Sequence, residues 1–495
     1  MMPSRAPLLL FLAVSLLAAP LRAKDRDRER FELQPTPVTS PEANQIRMDA
    51  DQAYQRGEYQ RVIEICDQLL SAYPEDNPHV AYHLRASARI EIGRQTRNTK
   101  YVRDGIADAR AALAREGKKH SWLFIPYLYG LTSLAELERR PEHAELAIKV
   151  IDPVLKRPIG TDYSTDDKAN LLYQRALAQL ARNDTKAALS DLAEAIHQNP
   201  LHLGARIKQA STLAAQKQTA EAAAAYDQAV EAFPNLLVVV NDRGTFRRAT
   251  GDLDGAIADF TRALEIDPNF AVGFINRGMC FNEQNNTRAA EADFTQALAL
   301  RLDQPMQLLS YRMRAMVRVI QGRAEAGISD LTAAIRIAPQ EAALYEERGY
   351  AHFFAHDFAA AAANLSKALE LNPQLTRVTP WIALSYSRSG KTNESQAALE
   401  ASFQAKVQPN AWVDRVNRLL AGQISEEELV SSATDLSADG RTERLCEAYY
   451  FLGQKKLLAS QSAEAADLFK QAVNTQARPL TAYRAARYEL RDFDN

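Results

Sequence analysis

Six prolines, at positions 200, 234, 268, 305, 339 and 373, stand 34, 34, 37, 34 and 34 residues apart. Spacing this regular marks one supersecondary unit copied along the chain, and it limits the fold more than any other feature. The residue ten places after each proline is small: Ala210, Gly244, Gly278, Ala315, Gly349 and Ala383. Further along each period a second small residue follows, at Ala222, Ala256, Ala290, Gly327, Ala361 and Ser395. Four places later comes a large one (Tyr226, Phe260, Phe294, Leu331, Leu365, Leu399), and three beyond that an Ala or Ser. Steps of i, i+4 and i+7 fall on one face of a helix. Each period thus predicts two helices of about a dozen residues, the first kept small where its neighbour approaches. A lone helical hairpin cannot bury such a face, so the unit must stack on copies of itself.

The stretch "GDLDGAIADFTRALEIDP" at 251–268 returns as "NNTRAAEADFTQALALRL" at 285–302 and as "HDFAAAAANLSKALELNP" at 356–373. Together with the pairs Arg243-Gly244, Arg277-Gly278 and Arg348-Gly349, these residues resemble the tetratricopeptide repeat (TPR) family. The resemblance implies an all-α fold, a right-handed superhelical solenoid of helix-turn-helix repeats, with registers 169–202, 203–236, 237–270, 271–304, 308–341, 342–375 and 376–409. Pro305 to Gln307 are expected as a small insertion in a turn. Residues 43–168 read as divergent hairpins of the same kind, one with a longer inter-helix turn at about 93–100. Residues 410–445 read as linker helices, and 446–491 as a further repeat with a capping helix whose polar side faces outward. That last part, where "GQISEEEL" precedes "CEAYYFLGQ", is similar to NlpI-type periplasmic TPR proteins of bacteria. The similarity implies an envelope adaptor that brings proteases or peptidoglycan hydrolases together.

The N-terminus carries Arg5, then the apolar run "LLLFLAVSLLAA" (8–19) and "PLRA", the pattern of a secretory signal too short to span a membrane. Cleavage is expected after Ala23, with Ala18 the alternative. Residues 24–42 follow as a charged and then Pro/Thr/Ser-rich flexible leader. No second long apolar segment follows, so an exported protein is expected, periplasmic or extracellular in a bacterium, with no membrane span in its mature part. Lys and Arg number 60 against 62 Asp and Glu, so no basic excess attracts nucleic acid. The three cysteines, Cys66, Cys280 and Cys446, are too scattered for a disulfide framework and read as buried apolar groups.

Several strings imitate active sites. Gly390-Lys391-Thr392 lacks the preceding glycine and strand of a phosphate loop, and Ser385 falls on a helix. His79/His83 and His352/His356 are each four apart, a spacing that suits a metal, but neither pair carries the catalytic Glu of a zinc protease. They are read as core or turn residues, and neither metal nor cofactor is expected.

The resemblance places certain first-helix positions on the concave side of the array. There it puts Asn241, Asp242, Asn276, Met279 and Asn282 in the earlier registers. Arg312, Met313, Met316, Glu346, Glu347, Tyr350, Phe353, Phe354 and Trp381 follow in the later ones. Thioethers and aromatics there suit a peptide with apolar side chains, while coverage by neighbouring helices is the other reading. Lys208 stands alone, so no Lys/Asn clamp for a C-terminal carboxylate is assembled.

The expected function is a non-catalytic scaffold for protein or peptide partners. A metal enzyme using the His pairs and a purely structural, self-associating solenoid are the alternatives. If the register is right, Ala256→Leu forces a large side chain between helices. It should lower stability by about 1–3 kcal/mol in chemical denaturation.

Overall fold

The computed structural model describes residues 40–116, 120–160, 163–405, 410–434 and 438–493. The expected signal, residues 1–23, and all but the end of the leader lie outside them. Among the described residues the regular structure is helical. Besides the α-helices it has only two 3-10 turns, Ser121–Leu123 and Thr376–Val378, and one antiparallel bridge between Gly160 and Tyr163.

The chain divides between Ile266 and Asp267 into two compact units. Unit one is six hairpins, the first three being α1 (Pro41–Gln55) with α2 (Tyr59–Ala72), α3 (Pro78–Gln95) with α4 (Thr99–Glu116), and α5 (Phe124–Glu138) with α6 (Pro141–Leu155). The next three are α7 (Thr165–Ala181) with α8 (Thr185–Gln198), α9 (Leu203–Ala215) with α10 (Thr219–Ala232), and α11 (Leu237–Ala249) with α12 (Leu253–Ile266). Unit two opens with α13 (Ala271–Glu283) and α14 (Thr287–Ala299), then α15 (Gln304–Ile320) and α16 (Ala324–Ile337). It continues with α17 (Ala342–Phe354) and α18 (Phe358–Leu371), then α19 (Thr379–Arg388) and α20 (Thr392–Gln404). It ends with α21 (Ala411–Leu420), α22 (Glu426–Thr434), α23 (Ala438–Leu458), α24 (Ser462–Asn474) and α25 (Thr481–Phe493). This is an all-α solenoid of stacked helical hairpins.

Each hairpin closes on a residue in the left-handed region. Asn183, Lys217, Gly251, Asn285, Gly322, His356 and Gly390 all have φ between 59° and 88°, at the same point of successive periods. Gly251, at 88°, has open space around it, so the turn rather than packing calls for glycine there. Inside the hairpin the small positions do the opposite. A Cβ on Gly244 would lie 2.9 Å from the Phe260 ring, and one on Gly278 2.9 Å from Phe294. On Gly349 it would come to 2.7 Å from Leu365, and on Gly453 to 2.5 Å from Phe469. The large residue of the second helix is thus seated directly on the first helix's backbone.

Beside several of these seats runs an ionic staple, whereas Arg348 beside Gly349 meets the neutral Asn364 and Leu452 precedes Gly453. Arg243 reaches Asp259 through two nitrogens, at 3.0 and 2.6 Å. Arg175 does so to Asp191 at 2.7 and 2.8 Å, Arg277 to Asp293 at 2.8 and 2.8 Å, and Arg314 to Asp330 at 3.0 and 2.7 Å. Such fork-to-carboxylate pairs are the stronger kind of hydrogen bond. Arg243 also bonds Asp227 of the preceding hairpin at 2.9 Å, and Arg175 bonds Asp152 at 2.9 Å, so one guanidinium ties two repeats. In the hairpin of α9 and α10 the equivalent positions are Gln209 and Ala225, and this staple is replaced there.

Four expectations change. Pro305 to Gln307 are not a turn but the first turn of α15, which runs 17 residues against 13 in α13 and α17. The Asp303 side chain caps the Met306 N–H at 2.8 Å, and Pro305 lacks only an N–H that has no helical acceptor. The turn of the second hairpin is three residues, 96–98, because α3 and α4 are longer helices, of 18 residues each. The leader's last two residues, Pro41 and Glu42, belong to α1, whose N-cap is Ser40. Finally, α23 runs unbroken through 445 and 446, and α25 turns Glu489 inward, where Gln454 and Arg388 bond it at 2.7 and 2.9 Å.

The staple predicts a contrast between the two carboxylates on one arginine. Asp259, with its side chain 4% exposed, should cost about 1.5–3 kcal/mol when changed to Ala. Asp227, 57% exposed, should cost under about 1 kcal/mol. Urea titration of both variants measures the difference.

Candidate functional site

In unit two the side chains expected in a groove separate into methionines, asparagines, a charged group and aromatics. Met279, Met313 and Met316 gather on Phe294 and Val317, Met313 being buried and the other two half-buried. Asn276 and Asn282 are half-buried on α13. The charged group pairs with neighbouring elements: Arg312 on α15 donates to Glu347 on α17 at 2.8 Å, and Arg377 of the 3-10 turn before α19 donates to Glu346 on α17 at 2.7 Å. Tyr350 adds its hydroxyl to Glu346 at 3.3 Å.

The aromatics are where sequence and structure part. Phe353, Phe354 and Trp381 are 1%, 6% and 3% exposed. Trp381 stacks on Tyr450 of α23 with ring centres 5.1 Å apart, and Phe354 stacks on Tyr488 of α25 at 4.9 Å. The Tyr488 hydroxyl goes on to bond the Val319 carbonyl. Helices from the chain's end therefore cover these rings. They are core residues of unit two, where the sequence pointed to a groove. Tyr350 meets the Trp381 ring edge-on at 5.4 Å and is left half-buried. Beside it burial pushes the Glu347 carboxyl up and the Arg484 guanidinium down.

Unit one presents a different surface. Tyr129 on α5 has the Arg94 guanidinium of α3 over its ring at 4.6 Å. Its hydroxyl lies in the field of Tyr54 on α1, Glu91 and Arg94 on α3, and Tyr173 on α7, and burial raises its pKa well above the usual phenol value. Lys208 on α9 is within reach of Glu136 on α5 and of Arg94, and burial lowers it. Five alternate helices, α1, α3, α5, α7 and α9, bring three tyrosines and charges of both signs to one face, with Tyr54, Tyr129 and Tyr173 half-buried rather than sealed. Further along the unit stand Asn241, which is buried, and Asp242, whose carboxyl burial pushes up to about 7 against a hydrogen bond from Asn241.

Sequence reading missed most of this face because the register of 43–168 was not drawn. One signal was available: Tyr173 is the fifth residue of the 169–202 register, a position taken elsewhere as groove-facing.

The imitation sites resolve into structure. His83 packs edge-on against Trp122 at 4.7 Å, and burial drives its pKa down to about 3, with His79 tilted on the same ring. His356 is a hairpin-turn residue with φ 60°, stacked on Phe358, and His352 pairs with Asp357 at 3.2 Å. Gly390 likewise sits in a hairpin turn, with φ 76°. The three cysteines are buried free thiols. Among the described residues no group of three or more His, Cys, Asp or Glu is placed to hold a metal, and no helix is long and apolar enough to cross a membrane.

The tetratricopeptide repeat family matches at residues 173–236 and again at 241–270. Residues 173–236 and 241–270 carry tetratricopeptide repeats. Such TPR hairpins are suited to holding protein partners. Similar solved structures include YrrB, described as a TPR protein with an unusual peptide-binding site: 16% identity, 41% of this chain, 100% of that one, TM-score 0.35. The C-terminal part of a TPR protein from Cytophaga hutchinsonii has 14% identity over 56% of this chain and 98% of its own, with TM-score 0.37. Yeast Tom70 has 14% identity over 79% and 97%, with TM-score 0.33. No curated protein matches the chain.

Asp242 carries a pH signature. Its folded pKa of about 7 lies above the ordinary 3.8, so between these values the native state holds a proton that the unfolded chain has released. Stability should therefore fall as pH rises from about 4 to about 7 and level off above. Asp242→Asn should remove that slope, gaining on the parent at pH 8 but not at pH 4 in thermal melts.

Proposed function

We propose that this protein is an exported scaffold with no catalysis of its own, holding an extended segment of a partner protein along the α1–α3–α5–α7–α9 face of unit one. The carrying observation is the convergence there of Tyr54, Tyr129 and Tyr173 with Glu91, Arg94, Glu136 and Lys208. Tyrosine is a rigid, amphipathic anchor that loses little entropy on binding. Interleaved charges of both signs fix the register of a bound chain and select against the wrong one. The groove-facing set of unit two is narrowed in this reading to Arg312, Met316, Tyr350 and the asparagines, since its buried rings are already packed.

The N-terminal sequence supports export, and the "GQISEEEL" and "CEAYYFLGQ" segments support an envelope adaptor for proteases or peptidoglycan hydrolases. A surface whose titratable groups interact with one another across helices supports a non-catalytic role.

Capture from bacterial envelope extract with residues 24–495, read by mass spectrometry, tests this. Hydrolases or proteases should be retained by the parent and by Tyr350→Ser, and lost by Tyr129→Ser/Tyr173→Ser. Equal capture by both tyrosine variants rejects unit one's face. No capture, with self-association in light scattering, replaces the adaptor by a structural solenoid.

A further inference from the structure

In unit two, α25 reaches well beyond the hairpin it follows. Its Ala482, Tyr483, Ala485 and Ala486 are buried in one cluster with Phe354 and Tyr450. Tyr488 stacks on Phe354 of α17 at 4.9 Å and donates its hydroxyl to the Val319 carbonyl near the end of α15. One oxygen of Glu489 accepts from Arg388 at the end of α19, at 2.9 Å, and from Gln454 on α23, at 2.7 Å. A single helix of 13 residues thus crosses the first helices of four hairpins, in the way an amphipathic helix lies in a groove.

What seats α25 differs from what closes the hairpins. The seats at Gly349 and Gly453 are filled by Leu365 of α18 and Phe469 of α24, so neither needs α25. Five of the thirteen residues of α25 are charged, which keeps the helix compatible with water when it is not docked. Its docked contacts also carry costs. The Arg388 and Glu489 side chains are 14% and 4% exposed, and desolvation of such a pair offsets most of what the two charges gain from each other. Arg484 is worse placed: its Nε is buried with no acceptor, while Nη2 reaches only the Pro479 carbonyl at 3.3 Å. An unmade buried hydrogen bond weakens the seating, and undocking returns that donor and Glu489 to water. Residues 475–480 tether α25 to α24 meanwhile.

We propose that α25 is a displaceable strap, occupying in cis a groove in which unit two seats an amphipathic helix of a partner protein. That helix presents an aromatic ring to Phe354 and, at the next position, a carboxylate to Arg388 and Gln454. With a small residue in place of Arg484 it docks without the orphaned donor, and so outcompetes the strap. This groove belongs to unit two alone. Capture through the tyrosine face of unit one and displacement of α25 therefore stand or fall separately.

Fluorescence anisotropy with a labelled peptide of residues 477–493, titrated into the full chain and into its Tyr488→Ala/Glu489→Gln variant, tests this. The variant loosens the strap and leaves the groove intact. Saturable binding of one peptide per chain is expected, at least about tenfold tighter to the variant, whose groove is open for a larger fraction of the time. The same two substitutions made in the peptide should weaken it at least about tenfold, through loss of the ring stack and the charge-assisted bonds. Excess native peptide should speed amide exchange in α25 of an isotopically labelled, otherwise unaltered chain and leave α23 and α24 as they were. No binding to either chain overturns the proposal, as does equal affinity for both or undiminished binding of the altered peptide. So does a variant that loses its cooperative melt, since α25 is then part of what folds unit two. Dimerisation of the unaltered chain that the variant lacks assigns the groove to α25 of a second copy and overturns the partner reading.

Discussion

The structure depends on one contact, a large side chain of the second helix seated on a residue of the first that has almost no side chain. Phe260 over Gly244 and Phe294 over Gly278 show its tightness, since even a methyl group would come within 2.9 Å of the ring. Close approach of two helices is what lets a hairpin of two short helices form a unit at all, because neither buries enough surface alone. The arginine next to the glycine then adds direction. Placed one residue before the seat, it reaches the aspartate one residue before the ring, as Arg243 reaches Asp259, and so fixes how the helices are rotated. Where it also grips the preceding hairpin, as through Asp227, the same side chain sets the stacking step.

Once seat and staple have consumed one face of each helix, function is left to the first-helix faces that neither uses. The two units dispose of those faces differently. In unit two a chain end returns: Tyr450, Phe451 and Tyr488 fill the space against Trp381 and Phe354. In unit one comparable positions carry half-buried tyrosines with charges of both signs near them, and it is this difference that makes unit one the better candidate for a partner.

Much of the hairpin was readable from sequence because its determinants are local. Gly244 and Phe260 are sixteen positions apart, and Arg243 and Asp259 the same, so periodicity reports them directly. The left-handed turn residues obey the same period. What periodicity does not report is coverage. The contact between Arg388 and Glu489 joins residues 101 apart, and that between Tyr488 and Val319 spans 169, with no repeat to announce either. Hence Phe353, Phe354 and Trp381 were named as groove residues, whereas their burial fits the other reading of the sequence, coverage by neighbouring helices. The α15 extension was missed for a related reason, since Pro305 keeps the proline rhythm yet serves as a helix start capped by Asp303.

The same logic bears on the tyrosine face of unit one. Tyrosines interleaved with acid and base, as at Tyr129, Arg94 and Glu91, are internally neutral, and a partner gains by matching an alternating pattern rather than by carrying net charge. Such a surface reads a chain, residue after residue. An array of copied hairpins supports it because first-helix faces outside the seat and staple can vary without disturbing the contact that holds the copies together.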